Sequence, residues 1–352
     1  MSTTIEIPPG ESIDGYLRNN RNPGTTFVLG PGEYTTAGCF DFPEHDLCML
    51  APGCAIIGAG SRETFLVGDP TYEHEGVTTG YAEVLTGGAR TTGFSDCMSV
   101  RGLTIQTDFS KVNIGLHLWT SRAWVSDVVI ENLTGSRTSP FPVKEGFGIL
   151  INNSAFPVGP DGGHLVENCE VHLDVRSGEN YSTAIFVGCV ARVTPMLRSK
   201  IARCRVVADD GHAGFAVNDR VVIEDCEVVG FRRAVFVDTG PVRDCHIRGL
   251  DASRVAWALD LRGTGERRGI TLRDSTFDFR AVDGWAQAIL ISDDESGASA
   301  SGLHVEDCTF IAPKQGRASM ARLRGPKVEN YTEAGNLWVG GVWEAPVIQN
   351  RV

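Results

Sequence analysis

Apolar and polar residues alternate along most of this chain, and the alternation is organised in a seven-residue row that returns eight times. The rows start at Ile114, Phe147, Thr183, Ala213, Arg233, Trp257, Gln287 and Ser319; Phe147-Gly-Ile-Leu-Ile-Asn-Asn153 and Arg233-Ala-Val-Phe-Val-Asp-Thr239 are typical. The second position is nearly always Gly or Ala, the third and fifth are apolar, and the fourth and sixth vary. A period of two describes a strand with one face buried and one face available. The row starts lie 20 to 36 residues apart, so equal strands are separated by unequal loops, as in a solenoid. The shortest interval, from Ala213 to Arg233, has room for two or three strands with tight turns and none for a crossover helix.

A second ladder runs between these rows. Its members include Val125-Ser-Asp-Val-Val-Ile130, Val166-Glu-Asn-Cys-Glu-Val171, Ile223-Glu-Asp-Cys-Glu-Val228, Val242-Arg-Asp-Cys-His-Ile247 and Val305-Glu-Asp-Cys-Thr-Phe310. Val100-Arg-Gly-Leu-Thr-Ile105 is an earlier member, and Val328-Glu-Asn-Tyr-Thr-Glu333 a decayed last one. The third position favours Asp or Asn, which turn a chain by bonding to their own nearby backbone. The fourth is small or apolar, usually Cys, and points inward. Two ladders in fixed alternation predict a coil that climbs one strand spacing, about 4.8 Å, per turn, with like positions stacked. The fold expected is all-β, a parallel β-helix.

A solenoid has to cover its ends. Ser12-Ile-Asp-Gly-Tyr-Leu-Arg-Asn-Asn20 is the best helical segment and is expected to cap the first coil, while Asn336-Leu-Trp-Val-Gly-Gly-Val-Trp343 is placed across the last. Residues 1–352 are therefore read as one β-helix domain: cap and first coils over 1–60, a loop excursion over 61–95, regular coils over 96–333 and a C-terminal cap over 334–352.

Composition narrows the partners. With 32 basic and 44 acidic residues the formal charge is −12, which disfavours nucleic acid, because phosphate binding needs a basic surface. The ten cysteines read as buried thiols. Cys169, Cys204, Cys226, Cys245 and Cys308 are assigned to one inward column, and Ser275 fills the same place, which packing allows and a disulfide would not. No Cys or His spacing suits a metal, and no cofactor is required. The acidic stretch Asp293-Asp-Glu-Ser-Gly-Ala-Ser-Ala-Ser301 offers oxygens for Ca²⁺ without a spaced ligand pattern, and a flexible loop is the better reading. The opening residues show no signal peptide, and no apolar run is long enough to span a bilayer, so a cytoplasmic location is expected.

Phe27-Val-Leu-Gly-Pro-Gly-Glu-Tyr34 resembles the opening strand of the pectin-lyase-like right-handed β-helix superfamily, and the Val-x-Asp-Cys-x-Val ladder resembles its repeated coils. The resemblance covers most of the chain. It implies a right-handed coil and a carbohydrate ligand, while fold alone does not select the reaction. The motif sets of the polygalacturonases, pectate lyases and alginate epimerases are not intact. Asp209-Asp-Gly-His212, for example, packs into one turn what polygalacturonases distribute over successive coils, and reads as a polar turn.

The first ladder proposes a site of its own. Its outward fourth positions are His117, Leu150, Phe186, Ala216, Phe236, Asp260, Leu290 and Arg322, and its sixth are Trp119, Asn152, Gly188, Asn218, Asp238, Arg262, Ser292 and Arg324. At one strand spacing per coil, Asp238, Asp260 and Arg262 fall within reach of each other and are the catalytic candidates. Trp119, His117, Asn152, Asn218, Asp219, Arg233, Phe236, Arg322 and Arg324 are the substrate-binding candidates. Guanidinium groups neutralise a substrate carboxylate, carboxylates act as acid, base or nucleophile, and aromatic rings stack on sugars. Solvated cross-strand ion pairs are the plain alternative. The function expected is a carbohydrate-active enzyme (lyase, hydrolase, transferase or epimerase) on an oligo- or polysaccharide, uronate-containing where the arginines are used. The alternatives are a glycan-binding structural protein like a phage tailspike, carried on the particle, and an intracellular small-molecule enzyme on the same scaffold; a monomer or a homo-trimer is expected.

Overall fold

The computed structural model describes residues 2–40, 49–68, 82–88, 97–107, 114–132, 145–152, 161–173, 181–188, 196–218, 220–237, 242–261, 266–291, 299–325 and 328–350. The chain is a right-handed parallel β-helix, nearly all strand. Chain contacts divide it into two compact units, Met1–Leu197 and Arg198–Val352, and each is taken by itself.

In the first unit the strands lie on three faces. The first face stacks Thr3–Ile7, Thr25–Leu29, Ala55–Ile57 and the first halves of Cys97–Thr107 and Arg122–Asn132, all in parallel register. The second face stacks Gly32–Thr36, Thr64–Gly68 and the second halves of the same two long strands. On the third face are Ala82–Gly88, Ile114–Trp119, Glu145–Asn152 and Tyr181–Gly188. The helix Asp14–Asn19 forms where the cap was expected, with Leu17 buried. Two of the boundaries expected from the sequence need correction. The span 61–95 contains the strands Thr64–Gly68 and Ala82–Gly88, and the span 334–352 contains Leu337–Val339, Trp343–Glu344 and Val347–Asn350, which pair with the preceding coil. Both spans lose the apolar alternation and still supply backbone that pairs.

The second unit repeats the plan. Ser199–Ala202, Val221–Glu224 and His246–Arg248 lie on its first face, Asp251–Ser253, Thr276–Asp278 and Thr309–Ile311 on its second, and Trp257–Asp260, Gly284–Ile291 and Gly316–Gly325 on its third. The interior is apolar, with Phe277, Phe310 and Trp338 in a stack whose ring centroids are 5.3 and 4.4 Å apart.

The turn between the first and second faces follows from the second ladder. Asp127 and Asn168 in the first unit, and Arg203, Asp225, Asp274 and Asp307 in the second, all have φ between 48° and 53°. This is the left-handed region that Asn and Asp tolerate and Gly enters freely. The next residue points in and closes the corner: the thiols of Cys169, Cys204, Cys226 and Cys308 donate to the carbonyl two residues back at 3.2–3.3 Å, and the Ser275 hydroxyl does so at 2.7 Å. Ser and Cys interchange at this position, and Val128 and Leu250 fill it in other coils without a donor.

The register corrects one reading. In the second unit the ladder is two ladders. Asp225, Gly249, Asp274, Asp307 and Gly335 stack in one left-handed corner, and Arg220, Asp244, Gly269, Gly302 and Asn330 in another. Cys245 and Asn330 thus belong to the second corner, and the Cys245 thiol donates to the Asn218 carbonyl. Both corners need a left-handed residue followed by an inward one, so their local sequences look alike.

Candidate functional site

The third face carries the first ladder. The fourth positions stack as expected: His117 pairs with Leu150 and Leu150 with Phe186 in the first unit; Ala216, Phe236, Asp260, Leu290 and Arg322 follow one another in the second. The structure adds a detail that alternation alone does not give. The second position also points inward. A Cβ at Gly115 would lie 2.8 Å from Ile130, at Gly148 2.3 Å from Val171, and at Gly214 2.7 Å from Val228. Such approaches leave no space for a Cβ at these three glycines, and the other rows place nothing larger than Ala there except Met320. With two successive residues turned in, the first position is turned out, onto the side of the fourth. A first-position side chain therefore reaches diagonally to the fourth position of the next coil, as Phe147 does to Phe186, ring centroids 6.0 Å apart.

In the first unit the diagonal is Glu83 to His117, Oε1 to Nδ1 at 2.5 Å. The Asn152 amide nitrogen lies 3.2 Å from His117 Nε2, so with the amide donating there, Nδ1 carries the proton toward the carboxylate. Thr86 donates to the other oxygen of Glu83, and the Trp119 ring lies 4.7 Å from the imidazole. Glu83 and His117 are 0% and 1% exposed, and Trp119 and Asn152 are at the edge of burial. The cluster unites His117, Trp119 and Asn152 as expected, and closes them under cover. Glu83 was missed because its row, Glu83-Val-Leu-Thr-Gly-Gly88, has Val at the second position and Gly at the fifth. Its register against Ile114–Trp119 makes it a ninth row.

In the second unit the diagonal is Arg233 to Asp260, a buried ion pair. The Arg233 guanidinium lies over two rings, 4.7 Å from the centroid of Trp257 and 5.5 Å from that of Phe236, and His212 meets Phe236 edge-on at 5.8 Å. Trp257 and Phe236 are half-buried, whereas Asp260 has no exposed surface. Asp260 is thus on the expected face but not open on it. Its carboxylate is engaged beneath the rings, holding the guanidinium, because an ion removed from water requires its counter-ion. Trp257 was missed because only the fourth and sixth positions were counted as outward. Arg322 lies farther along the stripe, 5.8 Å from the ring of Trp285, itself 43% exposed. Asn218 follows the strand Arg205–Val217 and is half-buried. Arg324 pairs through its backbone with Gln349, and its side chain lies outside the description. Asp219, Asp238 and Arg262 lie outside the described residues, as do residues 292–298 of the acidic loop. Among the described residues no group of three or more His, Cys, Asp or Glu is placed to hold a metal ion.

Comparison with known proteins places the fold. No family model matches, and no curated protein matches. Among solved structures, a polygalacturonase from Erwinia carotovora ssp. carotovora superposes with a TM-score of 0.61 at 11% identity, over 97% of this chain and 96% of that one. An exopolygalacturonase from Thermotoga maritima gives 0.57 at 12% identity over 93% and 86%. The catalytic domain of an Asp-to-Ala variant of a GH87 α-1,3-glucanase in complex with nigerose gives 0.51 at 12% identity over 99% and 68%. At these identities the likeness is one of architecture: the chain has the fold of the pectin-lyase-like right-handed β-helix proteins.

Proposed function

We propose that this protein is a carbohydrate-active enzyme that holds an acidic oligosaccharide on the third face of its second unit. The observation that carries the reading is the Arg233 guanidinium, fixed by buried Asp260 and lying over the rings of Trp257 and Phe236. Half-exposed rings offer stacking surface for a pyranose, and the buried Arg233–Asp260 pair holds them in place before a ligand arrives. Asp260 then acts as a positioning residue. The neighbours' activities, two polygalacturonases and a glucanase, support the substrate class. Asp238 and Arg262, which directly follow Val237 and Leu261 in sequence, are the candidates for the chemical step. Among the reactions open to the fold, proton removal beside a uronate carboxylate (lyase or epimerase) makes most use of an arginine, since neutralising the carboxylate acidifies the adjacent carbon.

The test is incubation with uronate polymers and with a neutral glucan, following unsaturated product, new reducing ends and ring inversion. The reading expects one of these with the uronate and its loss in Trp257→Ala and Asp238→Asn. Turnover of the neutral glucan alone, or full activity in Trp257→Ala, would remove it.

A further inference from the structure

The outer side of the first face in the second unit carries a groove that the reading above leaves unused. Its volume is about 490 Å³, and Arg198, Arg248, Arg273, His246, His304 and Glu306 line it. The register puts Val222, His246, Thr271, His304 and Thr332 in one outward stripe along successive coils. Two imidazoles in that stripe are held in the same way. His246 Nδ1 meets the Thr271 hydroxyl at 2.7 Å, and His304 Nδ1 meets the Thr332 hydroxyl at 2.6 Å, each on the following coil. This unit repeats every two coils, about 9.6 Å at the strand spacing. Arg248 and Arg273 stand side by side in the adjoining stripe, and the Arg198 guanidinium lies 3.5 Å from His246 Nε2. Three guanidiniums and two imidazoles line the groove with Glu306; Arg248 is paired with Glu224, and Arg273 lies 3.3 Å from Asp274.

We propose that this groove is a second saccharide site, binding a carboxylate-bearing oligosaccharide laid along the stacking direction. The proposal takes its ligand class from the function above and places it on a different face. Guanidiniums alternating with hydroxyl and imidazole groups match a ligand that alternates carboxylates with hydroxyls, and Val222 offers an apolar patch to a ring face. A second hold on a polymer raises its effective concentration at the first site without any new contact there.

The experiment uses the full chain and reads the imidazole NMR signals of His246 and His304, assigned with His246→Asn and His304→Asn. Trigalacturonate, a neutral trisaccharide, a glutamate peptide of equal charge and inorganic sulfate are titrated in turn. Trigalacturonate should move both signals, and equally in Trp257→Ala. Its affinity read at these rings should fall about tenfold in the double variant Arg248→Ser/Arg273→Ser, whose side chains are 56% and 50% exposed, so the fold is retained. Unmoved rings, an unaltered double variant, or equal shifts with the peptide, the sulfate or the neutral sugar would overturn the second site. Failure of the third-face reading registers elsewhere, as unchanged turnover in Trp257→Ala, and leaves the ring shifts as they are.

Discussion

Glu83–His117 in the first unit and Arg233–Asp260 in the second are the same diagonal built from different chemistry. Both join a first position to the fourth position of the next coil, and both are buried. The difference is in what the partner can do when its counter-ion is lost. An imidazole that accepts at Nε2 and donates at Nδ1 is a neutral hydrogen-bonding ring, whereas a guanidinium stays charged in any protein environment. The first diagonal tolerates a disturbance that the second does not. Their cover differs as well: the imidazole is closed in by Trp119 and Asn152, while the guanidinium is flanked by rings that remain half-exposed. One region is built as a polar core and the other as a platform.

The largest effect expected is at the guanidinium. Asp260→Ala should cost about 3–5 kcal/mol in urea unfolding, since it leaves a buried charge alone. The double variant Arg233→Met/Asp260→Leu should recover most of that; equal losses in the single and double variants would show that the pair is not a unit. Glu83→Ala should cost less, about 2–3 kcal/mol, through the acceptor lost to His117 and Thr86. A Glu83 variant as damaging as the Asp260 one would erase the contrast.

Acid sharpens it. His164 accepts the Ala123 N–H at 3.0 Å, and burial, aided by the Arg122 charge, lowers its pKa from 6.5 to about 3. Between those values the unfolded chain binds a proton that the folded chain refuses, so stability falls as pH drops below 6.5. His164→Asn, which keeps an acceptor, should narrow the loss between pH 7 and pH 5 by about 2 kcal/mol, measured from urea midpoints. An unchanged pH profile would put the sensitivity elsewhere.

On the platform, Trp257→Ala should weaken binding of an acidic oligosaccharide about tenfold by calorimetry, roughly 1.4 kcal/mol. The smallest effect is at a corner. Gly249 has φ +60°, and a Cβ there would lie 2.5 Å from the Asp225 Oδ1 of the coil before. Gly249→Ala should cost about 1–2 kcal/mol, while Asp225→Gly, equally suited to that backbone, should stay within about 0.5 kcal/mol.

Much of this was legible in the sequence because a coil repeats one demand many times. Eight rows gave the third face and its outward column, since each apolar third and fifth residue has the same neighbours above and below. Asp and Cys gave the corner. What stayed hidden has local physical causes. The inward second position looks like a small residue in any strand until its neighbours, Ile130, Val171 and Val228, are seen against it. The row of Glu83 lacks that small residue, and so the diagonal to His117 could not be drawn. Burial of Asp260 depends on rings whose positions alternation does not specify. The strands Thr64–Gly68 and Ala82–Gly88 carry too few apolar positions to show a period, and pair because the backbone of the next coil is already in place.

From Arg220 onward the two left-handed corners of the second unit lie five residues apart, as with Arg220 and Asp225 or Gly302 and Asp307. A growing coil that docks with the wrong corner over its predecessor would still place a tolerant residue at each bend. The penalty would come later, at the third face, when a larger side chain arrived where a glycine leaves no space for a Cβ. In such a chain the proofreading of winding is done by its smallest residues, far along the backbone from where the slip occurs.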